Sequence, residues 1–285
     1  MPVETSPEGP LWSAPWRDVE HVVLDLETTG TDPLVARICE IAWERRDARG
    51  VATDRWQSLV QSEVAVGGSR DVHGIDDAML RDAPRLTDLA TRIASALEGA
   101  ILVGHRIAYD VSFLEAAAER AEIAAPPRHA LDTKKLAQRC THGVATSLRG
   151  LAEAFELPRP THRAAADVTA TAALFDRLLL ELRPSTARDL WVAQSIEGRA
   201  QMREDVRAVI EQAMELGRVV LVRYRVPGRA AIEDELEPWA LAGPHVEGIL
   251  VRKGRKVLRG DRILHAELGA RAFTPPARWA SGLPR

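Results

Sequence analysis

Lysine is nearly missing from this chain. It stands only at positions 134, 135, 253 and 256, so arginine carries almost all of the positive charge. Cysteine is scarcer: Cys39 and Cys140 are far apart and in no metal-like spacing. That excludes a disulfide framework and a cysteine-based zinc site, and it makes a reducing cytoplasm the expected compartment. No apolar run approaches the roughly 18 residues of a membrane span, so no membrane partner is expected. The opening stretch from Met1 to Pro10 has neither the basic nor the apolar region of a signal peptide. Residues 1–18 read as a disordered tail. No internal repeat and no long low-complexity segment interrupts the chain.

What is present is ordinary in bulk and uneven in distribution. With 285 residues, 46% hydrophobic and 28% charged, the chain has material for one large domain or two modest ones. The net charge of −3 conceals a balance of +6 from Arg218 to Arg285 and −9 before it. An acidic front and a basic back suggest two parts with different tasks.

Short apolar runs bounded by turn residues predict buried strands at His21 to Leu26, Ile38 to Trp43 and Ile101 to Val103, and Arg55 to Val60 reads as an alternating strand. Helical patterns cover Thr87 to Leu97, Tyr109 to Ala121, Ser147 to Phe155 and Ala164 to Leu182. Strands followed by alternating strands and helices predict an α/β domain over residues 19–183, a mixed sheet with helices packed on it. A connection over 184–202 follows. A helix from Arg203 to Leu216 then leads into short strands separated by proline and glycine, a small β-rich domain over 203–273 with a tail at 274–285.

Four acids and one histidine fall where a site on a sheet would collect its groups. Asp25 and Glu27, two apart at the end of the first strand, project from one face. Asp110 opens a helix just after the strand Ile101 to Val103. His162 is placed in a loop and Asp167 in the first turn of the next helix. Carboxylates gathered within about 4 Å repel strongly in a partly buried cleft. Either some stay protonated or a divalent cation compensates them, and oxygen-only ligands suit Mg²⁺ or Mn²⁺ rather than zinc. Two such ions suit hydrolysis of a phosphodiester, and imidazole, which titrates near neutral pH, suits a general base.

Val23-Leu24-Asp25-Leu26-Glu27-Thr28-Thr29-Gly30, Gly104-His105-Arg106-Ile107-Ala108-Tyr109-Asp110 and His162-Arg163-Ala164-Ala165-Ala166-Asp167 resemble, in order and spacing, the three motifs of the DEDDh 3′→5′ exonucleases. This is the family of the proofreading epsilon subunit of DNA polymerase III, and the resemblance covers about residues 20–182. It implies a ribonuclease H-like fold. It also implies metal ligation by Asp25, Glu27, Asp110 and Asp167 at two Mg²⁺ or Mn²⁺ ions, His162 as general base, and substrate contacts from Thr28 and His73. Arg106 stands where the family has Asn, and Tyr109 where it has Phe. The implied activity is release of nucleoside monophosphates from single-stranded or frayed DNA ends in repair or proofreading, with a DNA polymerase or repair protein as partner. An RNA 3′-end exonuclease is the alternative within the class, because the motifs do not distinguish sugars. A nucleic-acid-binding regulator is the alternative outside it. Elsewhere, Asp132 reads as a helix cap, His105 as a support for the Asp110 loop, and His21, His129, His142, His245 and His265 as residues without a partner pattern.

Residues 203–273 resemble a WYL domain, a small Sm/SH3-like barrel. The pieces that carry the resemblance are Arg218 to Arg225, Leu236-Glu237-Pro238-Trp239-Ala240-Leu241 and Gly260-Asp261-Arg262-Ile263. The chain departs from that family at Val246-Glu247-Gly248-Ile249-Leu250, where its name-giving Trp-Tyr-Leu belongs. The basic balance makes Arg223, Arg225, Arg252, Arg255 and Arg259 candidate nucleic-acid contacts.

Overall fold

The computed structural model describes residues 7–141, 146–195, 202–226, 231–276 and 282–283. The chain divides into two compact units, one of Pro7–Lys135 with Val144–Arg177, the other drawn chiefly from Leu136–Gly143 and Leu178–Arg285. The division therefore falls six residues before the boundary expected at 183, and residues 136–143 group with the C-terminal part.

In the first unit β1 (His21–Thr28), β2 (Ile38–Arg46), β3 (Ala52–Leu59), β4 (Ile101–Gly104) and β5 (Ala130–Asp132) form one mixed sheet in the order β3-β2-β1-β4-β5. The first three pair antiparallel, and β4 and β5 add parallel to β1. β1 lies at the centre of the sheet, and its Val22, Val23 and Leu24 are fully buried, as a strand covered on both faces requires. β3 lies at the edge and alternates along its length between half-buried and exposed. Leu86, Ile93 and Leu97 of the helix Leu86–Leu97 share one core with Phe113 and Leu114 of the helix Ala108–Glu119 and with the apolar side chains of β1 and β2. At the end of β4 a Cβ on Gly104 would lie 2.5 Å from Ile107 Cδ1 and 3.1 Å from the Leu24 carbonyl oxygen. Glycine there allows the turn into the next helix to pass close to β1.

In the second unit the helix Glu204–Leu216 ends at Gly217, whose φ is 60°, and β6 (Arg218–Tyr224) follows. β7 (Ile232–Ala242), β8 (His245–Leu250), β9 (Gly254–Arg259) and β10 (Ile263–Ala272) complete an antiparallel sheet in the order β10-β6-β7-β8-β9. Val206, Ile210 and Ala213 of the helix pack with Val220, Val222, Leu236, Val246 and Ile263. Among the described residues no pairing joins β9 to β10, so what stands is a five-stranded antiparallel sheet.

Two expectations need correction. Residues 7–18 are not a tail: they form the helix Pro10–Ser13 and a turn at Trp16–Asp18. Trp12 is buried, and the Trp16 ring lies 5.4 Å from that of His21 and 5.7 Å from that of Phe175. Burying such rings, at ~1.5–3 kcal/mol for a large apolar side chain, outweighs the disorder expected of a proline- and glycine-containing terminus. The stretch 184–202 is not a bare linker, because Ala187–Gln194 is a helix with Leu190 and Trp191 buried. Residues 1–6 and 196–201 lie outside the described set. No described helix is long and apolar enough to cross a membrane.

Candidate active site

β4 pairs with β1 only as far as Val23, which leaves the C-terminal half of β1 open along one edge. Asp110, in the first turn of the helix Ala108–Glu119, reaches that edge and accepts the Leu26 backbone N–H at 3.0 Å. Its neighbours Asp25 and Glu27 stand on the alternate positions of the strand, half-buried, while Leu26 between them points into the core. The third contribution comes from the helix Ala164–Leu182. Asp167 lies in its first turn, as the pattern of residues predicts, and its Oδ1 accepts the Thr161 and His162 N–H groups at 2.8 and 3.1 Å. His162 has a φ of 58° and an exposed side chain.

The outcome is a compact anionic group. One carboxylate oxygen from each of Asp25, Glu27 and Asp167 lies within 4.8 Å of the others. Burial, then the charges of Asp110, Asp167, Glu27 and Glu40, push the Asp25 carboxyl well above its ordinary pKa. Glu27 rises to about 8, first through burial and then through Asp167, Glu40 and Asp110. Asp110 rises to about 7 through burial, against the pull of the Leu26 N–H, and Asp167 also rises through burial. These shifts in a common direction mark carboxylates whose burial and mutual repulsion outweigh the positive charge near them. An all-oxygen donor set of this kind fits a hard divalent cation.

The surrounding residues determine the geometry. Glu40, opposite Glu27 on β2, is buried and binds Arg163 Nη2 at 2.6 Å and the Ala164 N–H at 2.9 Å. It thereby fixes the start of the helix that carries Asp167. The sequence offers a signal for Glu40, a charge set among Ile38, Cys39, Ile41 and Ala42, since a buried charge needs a partner. Thr28 donates to the Gly30 carbonyl at 2.7 Å, Tyr109 donates to the same carbonyl at 3.0 Å, and the two hydroxyl oxygens are 2.7 Å apart. The hydroxyl that Tyr109 has and Phe lacks thus ties the end of β1. His73 is buried; its Nδ1 accepts the Ile75 N–H at 3.1 Å and its Nε2 faces the Thr28 carbonyl oxygen at 3.3 Å. Both ring nitrogens are engaged by the chain, so in this arrangement His73 holds Thr28 instead of offering a ring nitrogen to a substrate.

His105 does support the loop. Its Nδ1 lies 3.0 Å from Thr133 Oγ1 and its Nε2 3.2 Å from the Thr146 carbonyl oxygen, and burial lowers its pKa to about 4. Asp132 does more than cap. Its Oδ1 accepts the Lys134 N–H at 2.9 Å and also the Arg106 N–H at 3.0 Å. Asp25, Glu27, Asp110, His162 and Asp167 line one open cleft of about 660 Å³ together with Arg106, Lys134 and Arg149. Thr28 and His73 are not part of this lining, and of the three cations the sequence singled out only Arg106, as a departure from the family pattern.

In the second unit the candidate phosphate contacts are largely occupied. Arg223 pairs with Glu181 at 2.6 Å and with Glu233 at 3.2 Å. Arg259 pairs with Asp261 at 2.9 Å. Arg255 binds the buried Glu247, and Arg225 donates to the carbonyls of Gln138 and Arg139. Arg252 is exposed. Four of these five arginines are thus engaged within the protein, which net charge alone cannot reveal.

Comparison with known proteins gives a consistent picture. The family profile described as Exonuclease (RNase_T) matches residues 22–175. The chain is 30% identical over 167 residues to a DNA polymerase III PolC-type of Caldanaerobacter subterraneus subsp. tengcongensis, a match that covers 58% of this chain and 12% of that protein. It is 29% identical over 168 residues to the DNA polymerase III subunit epsilon of Aquifex aeolicus, covering 58% of this chain and 83% of that one. Among solved structures, E. coli exonuclease I in complex with a dT13 oligonucleotide aligns with a TM-score of 0.53 at 14% identity. That alignment covers 90% of this chain and 66% of the other, a likeness of fold that extends beyond the segment matched by the family profile.

Proposed function

The chain belongs to the exonuclease family, and from that premise we propose that it hydrolyses phosphodiester bonds from the 3′ end of single-stranded or frayed DNA, releasing nucleoside monophosphates. The observation that carries this reading is the convergence of the Asp25, Glu27 and Asp167 carboxylates, with Asp110 held against the same strand by the Leu26 N–H. Asp25, Glu27 and Asp167 would hold Mg²⁺ or Mn²⁺, with Asp110 at a second ion. When bound, such ions neutralise the carboxylates and supply Lewis acidity toward a phosphodiester and an attacking water. His162, at the rim of the cleft and attached by its own N–H to Asp167, takes the proton of the attacking water. Glu40 and Arg163 keep the helix that begins at Ala164 in register with β1. Relatives named DNA polymerase III PolC-type and DNA polymerase III subunit epsilon support a role in proofreading or repair beside a polymerase. The second unit, a helix followed by five antiparallel strands, we read as a small Sm/SH3-like barrel of the WYL kind.

The test is direct. Full-length protein with Mg²⁺ or Mn²⁺ is given 5′-labelled DNA and RNA strands side by side. A ladder shortening from the 3′ end, with mononucleotide products and DNA consumed faster than RNA, is the expected result. Faster loss of RNA would reassign the substrate, and intact ends on both strands in Mn²⁺ would remove the reading.

A further inference from the structure

The cleft contains an arginine in a backbone conformation that suits it badly. Arg106 has a φ of 64°, in the left-handed region where Cβ crowds the following carbonyl and where glycine and asparagine are favoured. The conformation is imposed from both sides. The Arg106 N–H is held by Asp132 Oδ1 at 3.0 Å, and its carbonyl accepts the Tyr109 N–H at 2.9 Å at the start of the next helix. A position chosen for stability would carry Asn or Gly. An exposed residue kept in an unfavourable conformation points to what its side chain reaches.

That side chain lines the same cleft as the carboxylates, together with Lys134 and Arg149. None of these three cations has a carboxylate within ion-pair distance among the described residues, whereas the nearby Arg163 is bound to Glu40 at 2.6 Å. A single oxygen, Asp132 Oδ1, anchors the backbone of both Arg106 and Lys134. The result is a cleft with four acids and three uncommitted cations.

We propose that Arg106 is a substrate-binding residue that grips a phosphate of the nucleic-acid strand upstream of the reacting bond, with Lys134 and Arg149 extending the same cationic wall and Asp132 as the positioning residue of Arg106 and Lys134. The proposal rests on the exonuclease reading of the cleft. A strand whose 3′ end lies among carboxylates is repelled by them, and its remaining phosphates need counter-charge from the protein. A guanidinium supplies a planar fork that matches phosphate oxygens. Asparagine would fit the backbone better but bring no charge.

The substitution that the backbone prefers is therefore the informative one. In the full-length protein, Arg106→Asn should leave the melting temperature unchanged or raised by a few degrees, yet weaken binding of a 5′-fluorescein oligo-dT strand in Ca²⁺ by about tenfold, the size of one charge-assisted contact. The salt dependence of that binding should become shallower by about 0.7 for the lost phosphate contact. Arg106→Lys, which keeps the charge but not the planar fork, should recover part of the affinity. With strands carrying one methylphosphonate near the 3′ end, a single position should weaken wild type as much as Arg106→Asn does and weaken the variant no further. Wild-type affinity in Arg106→Asn overturns the proposal, and so does an equal loss at every neutral linkage, which would indicate a displaced loop. If wild type binds the strand but cleaves none, the exonuclease reading falls and Arg106 is judged on binding. If wild type cleaves and Arg106→Asn binds normally, only Arg106 falls. If wild type binds no strand, both fall.

Discussion

Asp167 and Glu40 do different things to the same helix, and substitution separates them. Asp167 offers a carboxylate to the cleft while its Oδ1 also holds the Thr161 and His162 N–H groups. Asp167→Asn keeps an oxygen for those bonds and removes the charge, so the chemical rate should fall by several orders of magnitude with the fold intact. His162→Ala should cost roughly 10²–10⁴-fold, the range for a lost general base. Near-normal hydrolysis by either variant in Mg²⁺ would contradict the roles given to them. Glu40 never faces the cleft lining. Removing it in Glu40→Ala leaves the Ala164 N–H without its acceptor and frees Arg163, whose side chain is 42% exposed and can turn to water. The expected cost is about 1–3 kcal/mol for the buried donor. Urea melts should show that loss, together with a smaller drop in kcat than Asp167→Asn gives. An unchanged melt would mean that Glu40 does not set the helix start.

At the level of elements, the legible parts were those in which pattern and burial agree. β1 shows Val22, Val23 and Leu24 in an unbroken apolar run, and the long helix Ala164–Leu182 shows its period, so strand, helix and the carboxylates at their ends could be located from the sequence. β5 has three residues, too few for a period, and β9 exposes five of its six and is held by backbone pairing to β8. Neither has a hydrophobic signature to find. The helix Ala187–Gln194 had a polar signal instead: Thr186 accepts the Asp189 N–H at 3.3 Å and Asp189 accepts the Thr186 N–H at 2.8 Å, a capping pair three residues apart. The boundary at 183 was illegible because two arginines far along the chain close helix ends. Arg203 donates to the Leu182 carbonyl at 2.7 Å, and Arg225 to the carbonyls of Gln138 and Arg139. Cations suit these carbonyl-rich ends. A shortened protein ending at Arg183 loses both arginines and the sheet behind them. It should therefore melt lower than the full-length protein and show faster amide exchange over residues 133–140 and 178–182. Equal melting of the two would mean that residues 19–183 fold as an independent domain after all.

For the whole molecule, the buried groups give stability a dependence on pH that metal should reverse. His21, buried, and His105, half-buried, have pKa values lowered to about 4 by desolvation. Their contribution is complete above 6.5 and is lost as pH falls below it, because only the unfolded chain readily takes up those protons. Above 6.5 the carboxylates of the cleft are the groups still changing. Asp110 titrates near 7 and Glu27 near 8, and Asp25 is also raised, whereas in the unfolded chain all three are already ionised. The folded state then holds more protons than the unfolded one, so metal-free stability must decline as pH rises from 6.5 to 8. Divalent cations bind the ionised form and gain affinity over that same interval, adding stability as RT ln(1 + [L]/Kd). Melting in EDTA should therefore fall between pH 6.5 and 8, while melting in Mn²⁺ should hold or rise, so that the gap widens with pH. Asp25→Asn, which removes one of the repelling charges and one ligand, should flatten the EDTA curve and close most of the gap. Parallel EDTA and Mn²⁺ curves across this range would show that the four carboxylates do not form a common cation site, whatever their separation.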